Sequence, residues 1–443
     1  MEEVKFMMHI QNFVKKNIPV ILLLCGIFFG MLLVVYRFGG YKGFQSVLVG
    51  NVGKVAISMS SNKEFLNSVM GFDRPKTYVL VVFDTTVLTP FGGIPRMYVI
   101  MRIVNGIPSI VRIEPVIHFD QNLLDKTDGP KNFDTFATQV MEIVPNTFTD
   151  VDSVDAVIGG TKSGVIDFLK LSKTSESEQS IEIVERIVGE GQSDNLEQRV
   201  RINEVIEQVF GEARKHLLTQ AHEYVALLKR LIIERHIVVL SRDPETNKVF
   251  RSKGLAEERH TNEHNFVSVI HTELSDGKTN VKIQKYVRYE ISPFDSRHVV
   301  GNISIQYIYP FDTLGTPYVA KVSIHIPPGS KGESKNVFLC LDNEETHDVL
   351  CEGDVVVKPH EKKEISIAFL LPQSLADEMA RGTYTLFVKK QFGAPPFDFD
   401  IHVESKKPLS GCTPFSDVVE FRNTYCDMRA SIVADTTFTV LLQ

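Results

Sequence analysis

The chain is poor in the signatures by which an activity is usually read. It has no Gly-x-Ser-x-Gly elbow, no His-Glu-x-x-His pair and no Rossmann glycine pattern. Serine-hydrolase, zinc-protease and dinucleotide readings therefore have no local support. No Cys-x-x-Cys pair occurs among the five cysteines, which argues against a structural zinc site of that kind. There is no Lys/Arg-rich arm, and the formal net charge is −7, so nucleic acid is not an expected partner. Low-complexity tracts and short fixed-period repeats are also absent.

Charge is missing most completely from Asn17 to Tyr36, which sits between Lys15-Lys16 and Arg37. Thirteen of its residues are Leu, Ile, Val or Phe. As a helix, about twenty residues span the roughly 30 Å of a bilayer's hydrocarbon core, and this composition favours insertion by several kcal/mol. A cleaved signal peptide would have a shorter apolar core and small residues before its cleavage site. Here the apolar run is long and ends in Val34-Val35-Tyr36. Leu22-Leu23-Leu24-Cys25 resembles a lipoprotein signal, but Leu24 is too bulky for the position before the cysteine. The expectation is a single transmembrane helix. Gly26 and Gly30 are spaced as a small-xxx-small pair that allows two helices to approach. Flanking cations nearly balance: Lys5, Lys15 and Lys16 precede the helix, and Arg37, Lys42 and Lys54 follow it. The tight Lys15-Lys16 pair favours an N-terminus in the cytoplasm.

The remaining cysteines, Cys340, Cys351, Cys412 and Cys426, all lie in the last quarter. Their number and proximity suggest the pairs Cys340–Cys351 and Cys412–Cys426, although four cysteines allow three connectivities and free buried thiols stay open. Disulfides would place this part of the chain outside the cytoplasm. The chain has 443 residues, 43% of them hydrophobic, enough for two or three domains with real cores.

Five segments follow. Residues 1–16 form a cytoplasmic tail, 17–36 the transmembrane helix and 37–70 a glycine-bearing juxtamembrane connector. An α/β (or α+β) domain runs over 71–279. Tyr78–Phe83 reads as a strand buried on both faces. Arg96–Val104 and Ile107–Val116 form a hairpin about Asn105-Gly106, a pair that tolerates φ > 0. A helix covers Thr135–Ile143. Val154–Ile158 is a strand that Gly159-Gly160 turns into a helix near Ser163. The longest helical pattern runs from Leu196 to Arg235. Short strands follow at 237–240 and 266–271. From 280 to 443 the period changes to two, as in Ile303-x-Ile305-x-Tyr307-x-Tyr309, Ile365-x-Ile367-x-Phe369, Tyr384-x-Leu386-x-Val388 and Phe397-x-Phe399-x-Ile401-x-Val403. About seven such strands with no convincing helix indicate an immunoglobulin-like β-sandwich.

Gly71-Phe-Asp-Arg-Pro-Lys-Thr-Tyr-Val-Leu, then Thr89-Pro90-Phe91-Gly92-Gly93, Val154–Ile158, Gly277-Lys278 and Lys390-Gln391-Phe392-Gly393 occur in an order that resembles a bacterial membrane-protein family. That family carries the domain of unknown function numbered four-zero-one-two. The resemblance covers most of the chain after the anchor. It implies an extracytoplasmic envelope protein with an N-terminal membrane helix. Val87 and Thr89 stand where the family has a glutamate and an arginine, and Asp84 and Thr85 where it has two asparagines. The acid and base of that loop are gone, while Gly92 and Gly93 keep its turn. By arrangement, the first domain is also similar to the LytR–CpsA–Psr phosphotransferases, a likeness of fold that does not establish function.

Candidate chemistry is sparse. Asp84 ends the first buried strand. Arg96 and Arg102, six residues apart on one strand, share a side with Tyr98 and suit a phosphate or sugar phosphate. The competing reading of these two is a solvated strand face. Gly159-Gly160-Thr161-Lys162-Ser163 lacks the glycines of a phosphate loop, which leaves a capped strand-to-helix junction. His260, Glu263, His264 and His271 are the densest set of metal-type ligands but fall on a loop and a strand.

The expected role is structural, or the binding of wall glycopolymer or lipid-linked sugar, without a cofactor and without clear catalysis. The alternative is a glycopolymer phosphotransferase using Asp84, Arg96 and Arg102 with Mg²⁺. Expected partners are the membrane, such a glycan, and a second copy of the chain.

Overall fold

A computed structural model describes residues 69, 71–105, 107–115, 130–172, 221–256, 265–275, 279–293, 298–310, 316–333, 338–343, 348–414 and 417–443, and a few single positions besides. The tail, the membrane helix at 17–36 and nearly all of the connector lie outside these residues, as do Gly106, His260, Glu263, His264 and the first part of the 196–235 helix. Among the described residues, no helix is long and apolar enough to cross a membrane. The described chain is mostly β-sheet, with three mixed sheets and five helices, and it divides into two compact units.

The described residues of the first unit fall within 69–84, 95–115, 131–172 and 221–256, with a few single positions besides. Its strands are β1 (Lys76–Asp84), β2 (Ile94–Val104), β3 (Ile107–Pro115), β4 (Ala156–Thr161) and β5 (Ile237–Ser241). They form one sheet in the order β3-β2-β1-β4-β5. β1 and β4 pair in parallel, whereas β2 with β3 and β4 with β5 pair antiparallel. The helices are α1 (Phe133–Thr147), α2 (Lys162–Ser172), α3 (Ala221–Ile233) and α4 (Pro244–Ser252).

Alternate residues of the buried strands point to opposite faces, and helices cover both. On one face Tyr78, Val99, Ile158 and Val239 pack with Phe168, Tyr224, Leu228 and Leu231 of α2 and α3. On the other, Phe83 meets Phe133 and Phe136 of α1 edge-on, with ring centres 6.3 and 5.4 Å apart. Asp155 fastens the start of β1: its carboxylate accepts from the Thr77 N–H at 2.8 Å and from Arg74 at 2.5 Å.

One sequence expectation changes here, and one holds. Gly159 and Gly160 are not a turn but lie inside β4, and the helix follows directly at Lys162. A Cβ on Gly159 would stand 2.6 Å from the Phe133 ring and 2.9 Å from Val238. That glycine therefore lets a helix and a strand close on β4. The hairpin residue Asn105 has φ 50°, as that kind of turn requires.

The second unit comprises the described residues from Asn265 to Gln443 with an excursion from the earlier chain, Thr85–Ile94, and Pro130. Its strands are β6 (Phe266–Glu273), β7 (Gln284–Pro293), β8 (Val299–Ile308), β9 (Tyr318–Ile326), β10 (Lys331–Glu333), β11 (Leu339–Asn343), β12 (Asp348–Val357) and β13 (Lys362–Leu370). After helix α5 (Gln373–Ala380) come β14 (Thr383–Lys389), β15 (Phe397–Glu404), β16 (Leu409–Thr413), β17 (Val418–Phe421), β18 (Tyr425–Ile432) and β19 (Thr436–Leu442).

These build two seven-stranded sheets, ordered β11-β12-β9-β6-β14-β19-β16 and β10-β13-β8-β7-β15-β18-β17. Their inward faces share one hydrophobic core. Every pairing in both sheets is antiparallel except β6 with β14 and β7 with β15. The two parallel pairs occupy the same central place in each sheet. They form a seam between an eight-stranded half, β6–β13, and a six-stranded half, β14–β19.

The sandwich is thus twice as large as the seven strands expected, and it contains a helix. It also begins earlier than residue 280, because β6 is hydrogen-bonded to β9 and β14. Alternation explains the strands that were legible. β8 buries every second residue, which places Ile303, Ile305 and Tyr307 in the core.

Cys340 bonds to Cys351, its direct partner across β11 and β12. Cys412 of β16 bonds to Cys426 of β18, which joins the two sheets through the core.

Candidate functional site

The residues picked out for chemistry in the first unit are tied to one another or to the backbone. Asp84, at the end of β1, is fully buried, and its carboxylate accepts from Arg96 Nη2 at 3.3 Å. Arg102 instead donates to the Asp150 carbonyl at 3.2 Å. The arginines therefore address different partners and form no joint anion cradle.

Val87 and Thr89 are buried. The Thr89 hydroxyl donates to the Gly93 carbonyl at 3.0 Å, and the Gly92 N–H to the Thr89 carbonyl at 3.0 Å. Gly92, with φ 120°, lies against the Phe392 ring where a Cβ would collide. The glycine turn is held by packing. At the start of α2, Thr161 Oγ1 accepts from the Gly164 N–H at 3.1 Å and contacts His236 Nδ1 at 2.8 Å, a helix cap with a histidine beside it.

The concentration of buried polar groups lies in the sandwich unit, at the junction of β6 and β7. Glu273, the last residue of β6, has no exposed surface. One oxygen, Oε1, accepts from Ser275 Oγ at 2.9 Å, the Thr279 N–H at 2.7 Å, Thr279 Oγ1 at 2.6 Å and the Asn280 N–H at 3.1 Å. These bonds fix a 3₁₀ turn over Thr279–Lys282. Its orphan N–H groups take the carboxylate as their cap. The other oxygen, Oε2, is buried without a hydrogen-bond partner.

Five residues after Asn280, Lys285 points inward. β7 alternates so that Lys285, Val287, Tyr289 and Ile291 occupy one face, and the latter three are core residues. Lys285 Nζ donates to Asn280 Oδ1 at 2.5 Å and lies 5.4 Å from the centre of the Tyr318 ring. Burial pushes its pKa down to about 7, against a smaller opposing pull from the Glu273 charge. Asn280 is itself buried, and its Nδ2 has no partner.

His271, also on β6, is buried, with Nε2 2.9 Å from Tyr307 Oη. Burial, and then the Lys285 charge, hold it well below the usual imidazole range. Burial likewise raises the hydroxyl pKa values of Tyr307 and Tyr318. The Gln391 side chain bridges this region to the early excursion. It donates to the Thr89 and His271 carbonyls at 2.9 and 3.1 Å and accepts from the His271 N–H at 3.0 Å. A cavity of about 460 Å³, lined by Asn280, Lys285, His271 and Gln391 and walled by Leu88, Val269 and Phe397 among others, opens beside the cluster.

Its size is that of a small-molecule pocket. Its chemistry is that of a partly neutral amine held against a carboxamide. Of these groups, His271 stood out in the sequence as a candidate ligand, and Gln391 only as part of the 390–393 motif. The usable signal was Lys285 on the apolar side of an alternating strand. Among the described residues, no group of three or more metal-type ligands converges.

Compared with models of known protein families and with curated proteins, the chain matches none.

Proposed function

We propose that the protein is a single-pass envelope protein. Residues 17–36 would cross the membrane with the N-terminus in the cytoplasm, and the two units would stand outside. The role is structural or glycan-binding, and no catalysis on an external substrate is assigned to it. The observation that carries this reading is the disulfide pair of the sandwich unit, since such bonds persist in oxidising compartments. The bond between Cys412 and Cys426 ties one sheet to the other, as in immunoglobulin-type sandwiches. This supports an immunoglobulin-like character for each half about the parallel seam. The ordered motifs that resemble the four-zero-one-two family agree with this placement.

The test is native mass spectrometry of the full chain in mild detergent, after membrane fractionation. The expected result is recovery from the membrane fraction with both bridges oxidised and no polyprenyl phosphate bound. Recovery from the soluble cytoplasmic fraction with four free thiols would overturn the placement. A co-purifying pyrophosphate lipid that is lost in the Arg96→Ala, Arg102→Ala variant would overturn the structural role in favour of the phosphotransferase.

A further inference from the structure

The cluster at the start of β7 brings an amine, a carboxamide and a buried carboxylate together where no external substrate is needed. We propose that Lys285 and Asn280 join covalently, through an intramolecular amide bond that the folded sandwich forms on itself with release of ammonia. The proposal concerns chemistry inside the sandwich and does not depend on where the chain is anchored.

Geometry supplies the first requirement. Lys285 Nζ already lies 2.5 Å from Asn280 Oδ1, which places the carboxamide carbon within reach of the nitrogen. Two reacting groups held in this way react as though at very high mutual concentration. The second requirement is a neutral nucleophile. An amine becomes one when desolvated beside apolar surface; Lys285 is half-buried on the core side of β7, at the cavity wall, with its pKa pushed down to about 7. The third requirement is a leaving group that nothing restrains, and Asn280 Nδ2 has no hydrogen-bond partner.

The step balances without a further reactant. The Nζ lone pair attacks Cγ of Asn280, and the Nζ–Cγ bond forms as the Cγ–Nδ2 bond breaks. A proton shed by Nζ passes to Nδ2, which departs as ammonia. The adjoining cavity gives it a way out. Nothing is oxidised or reduced.

Glu273 is a positioning residue here. Its Oε1 holds the Asn280 N–H and the turn that presents the carboxamide, and its charge raises the amine's pKa. Among the described residues, the other titratable groups around Lys285 are His271 on β6, Tyr318 on β9, and Tyr286 of β7 and Asp398 of β15 at the cavity wall, with Tyr307 of β8 behind His271.

The experiment is mass spectrometry of the full chain, intact after reduction and then as tryptic peptides. The expected protein is lighter than its sequence by one ammonia. Trypsin does not cut after Lys285, and fragmentation assigns the loss to a 280–285 bridge. Lys285→Arg and Asn280→Ala each restore the full mass. A loss that survives in Lys285→Arg is a succinimide at Asn280 and overturns the proposal. So does a wild-type chain of full mass whose Lys285, once unfolded, reacts with an amine-labelling reagent after days at pH 8. In freshly refolded protein, bridge formation should follow the neutral amine and rise with a midpoint near pH 7. Glu273→Gln should move that midpoint to lower pH, a change that loss of packing alone would not produce.

Discussion

In the α/β unit, the buried carboxylate of Asp84 meets a guanidinium, Arg96, at 3.3 Å. In the sandwich unit, the buried carboxylate of Glu273 meets only neutral donors, four of them on a single oxygen, and among the described residues no cation stands within ion-pair distance. The nearby cation, Lys285, is given to a carboxamide and an aromatic ring. An ion pair stabilises the charged form of both members and so leaves neither available for chemistry. A carboxylate capped by neutral donors does this only weakly for its neighbour, and desolvation outweighs it and drives the lysine toward its neutral form. The same price of burial is met by pairing in one unit and by deprotonation in the other.

Removing the two carboxylates tests that contrast most severely. Glu273→Leu strands four donors in the core and releases the Thr279–Lys282 turn, and should cost about 3–5 kcal/mol. Asp84→Leu leaves Arg96, whose side chain is 14% exposed and can turn toward solvent, so about 2–3 kcal/mol is expected. Denaturant titrations of the full chain, each unit followed by its own tyrosine or cysteine probes, measure both. An Asp84 variant losing clearly more than the Glu273 variant would break the comparison.

A smaller effect appears as pH dependence. With a folded pKa of about 7 against 10.5 for the free side chain, an unlinked Lys285 is neutral in the folded protein and protonated in the unfolded chain between those values. The unfolded state then binds more protons, so stability rises with pH across that window, by at most about 1.4 kcal/mol per pH unit. Once Lys285 is bridged to Asn280, neither state carries the amine and the slope disappears. His271 acts on the acid side. Held neutral by burial, it is protonated only in the unfolded chain as pH falls below about 6.5, so stability falls there. The midpoint of urea unfolding, taken from pH 5 to 10 for wild type, Lys285→Met and His271→Gln, separates the two.

The fold was legible wherever a strand had one consistent pattern. Tyr78–Phe83 lies within β1, and the alternating runs at 303–307, 365–369, 384–388 and 397–403 lie within β8, β13, β14 and β15. The 107–116 strand and the 135–143 helix also match elements, β3 and α1, to within a few residues. The parallel seam was not legible, because it pairs β6 with β14 and β7 with β15 across more than a hundred residues, and local periodicity carries no such information. Gly159 misled for a related reason: a glycine needed for close approach of Phe133 and Val238 looks the same in sequence as one needed for a turn. In the candidate site, Lys285 breaks the apolar alternation of its strand, which is a readable anomaly. The cage around Glu273 depends on a turn whose geometry sequence alone does not specify.

The smallest effect is expected at Arg102, and it sharpens the contrast from the other side. Its guanidinium makes one 3.2 Å bond to the Asp150 carbonyl in exposed surroundings, whereas Arg96 answers a fully buried carboxylate. Exposed interactions of this kind contribute little because solvent replaces them. Arg102→Ala should therefore change stability by less than about 0.5 kcal/mol, and Arg96→Ala by several times as much, since it removes the guanidinium from a buried carboxyl group. Comparable losses at the two arginines would mean that they act together after all, and the phosphate-binding reading of β2 would regain its physical basis.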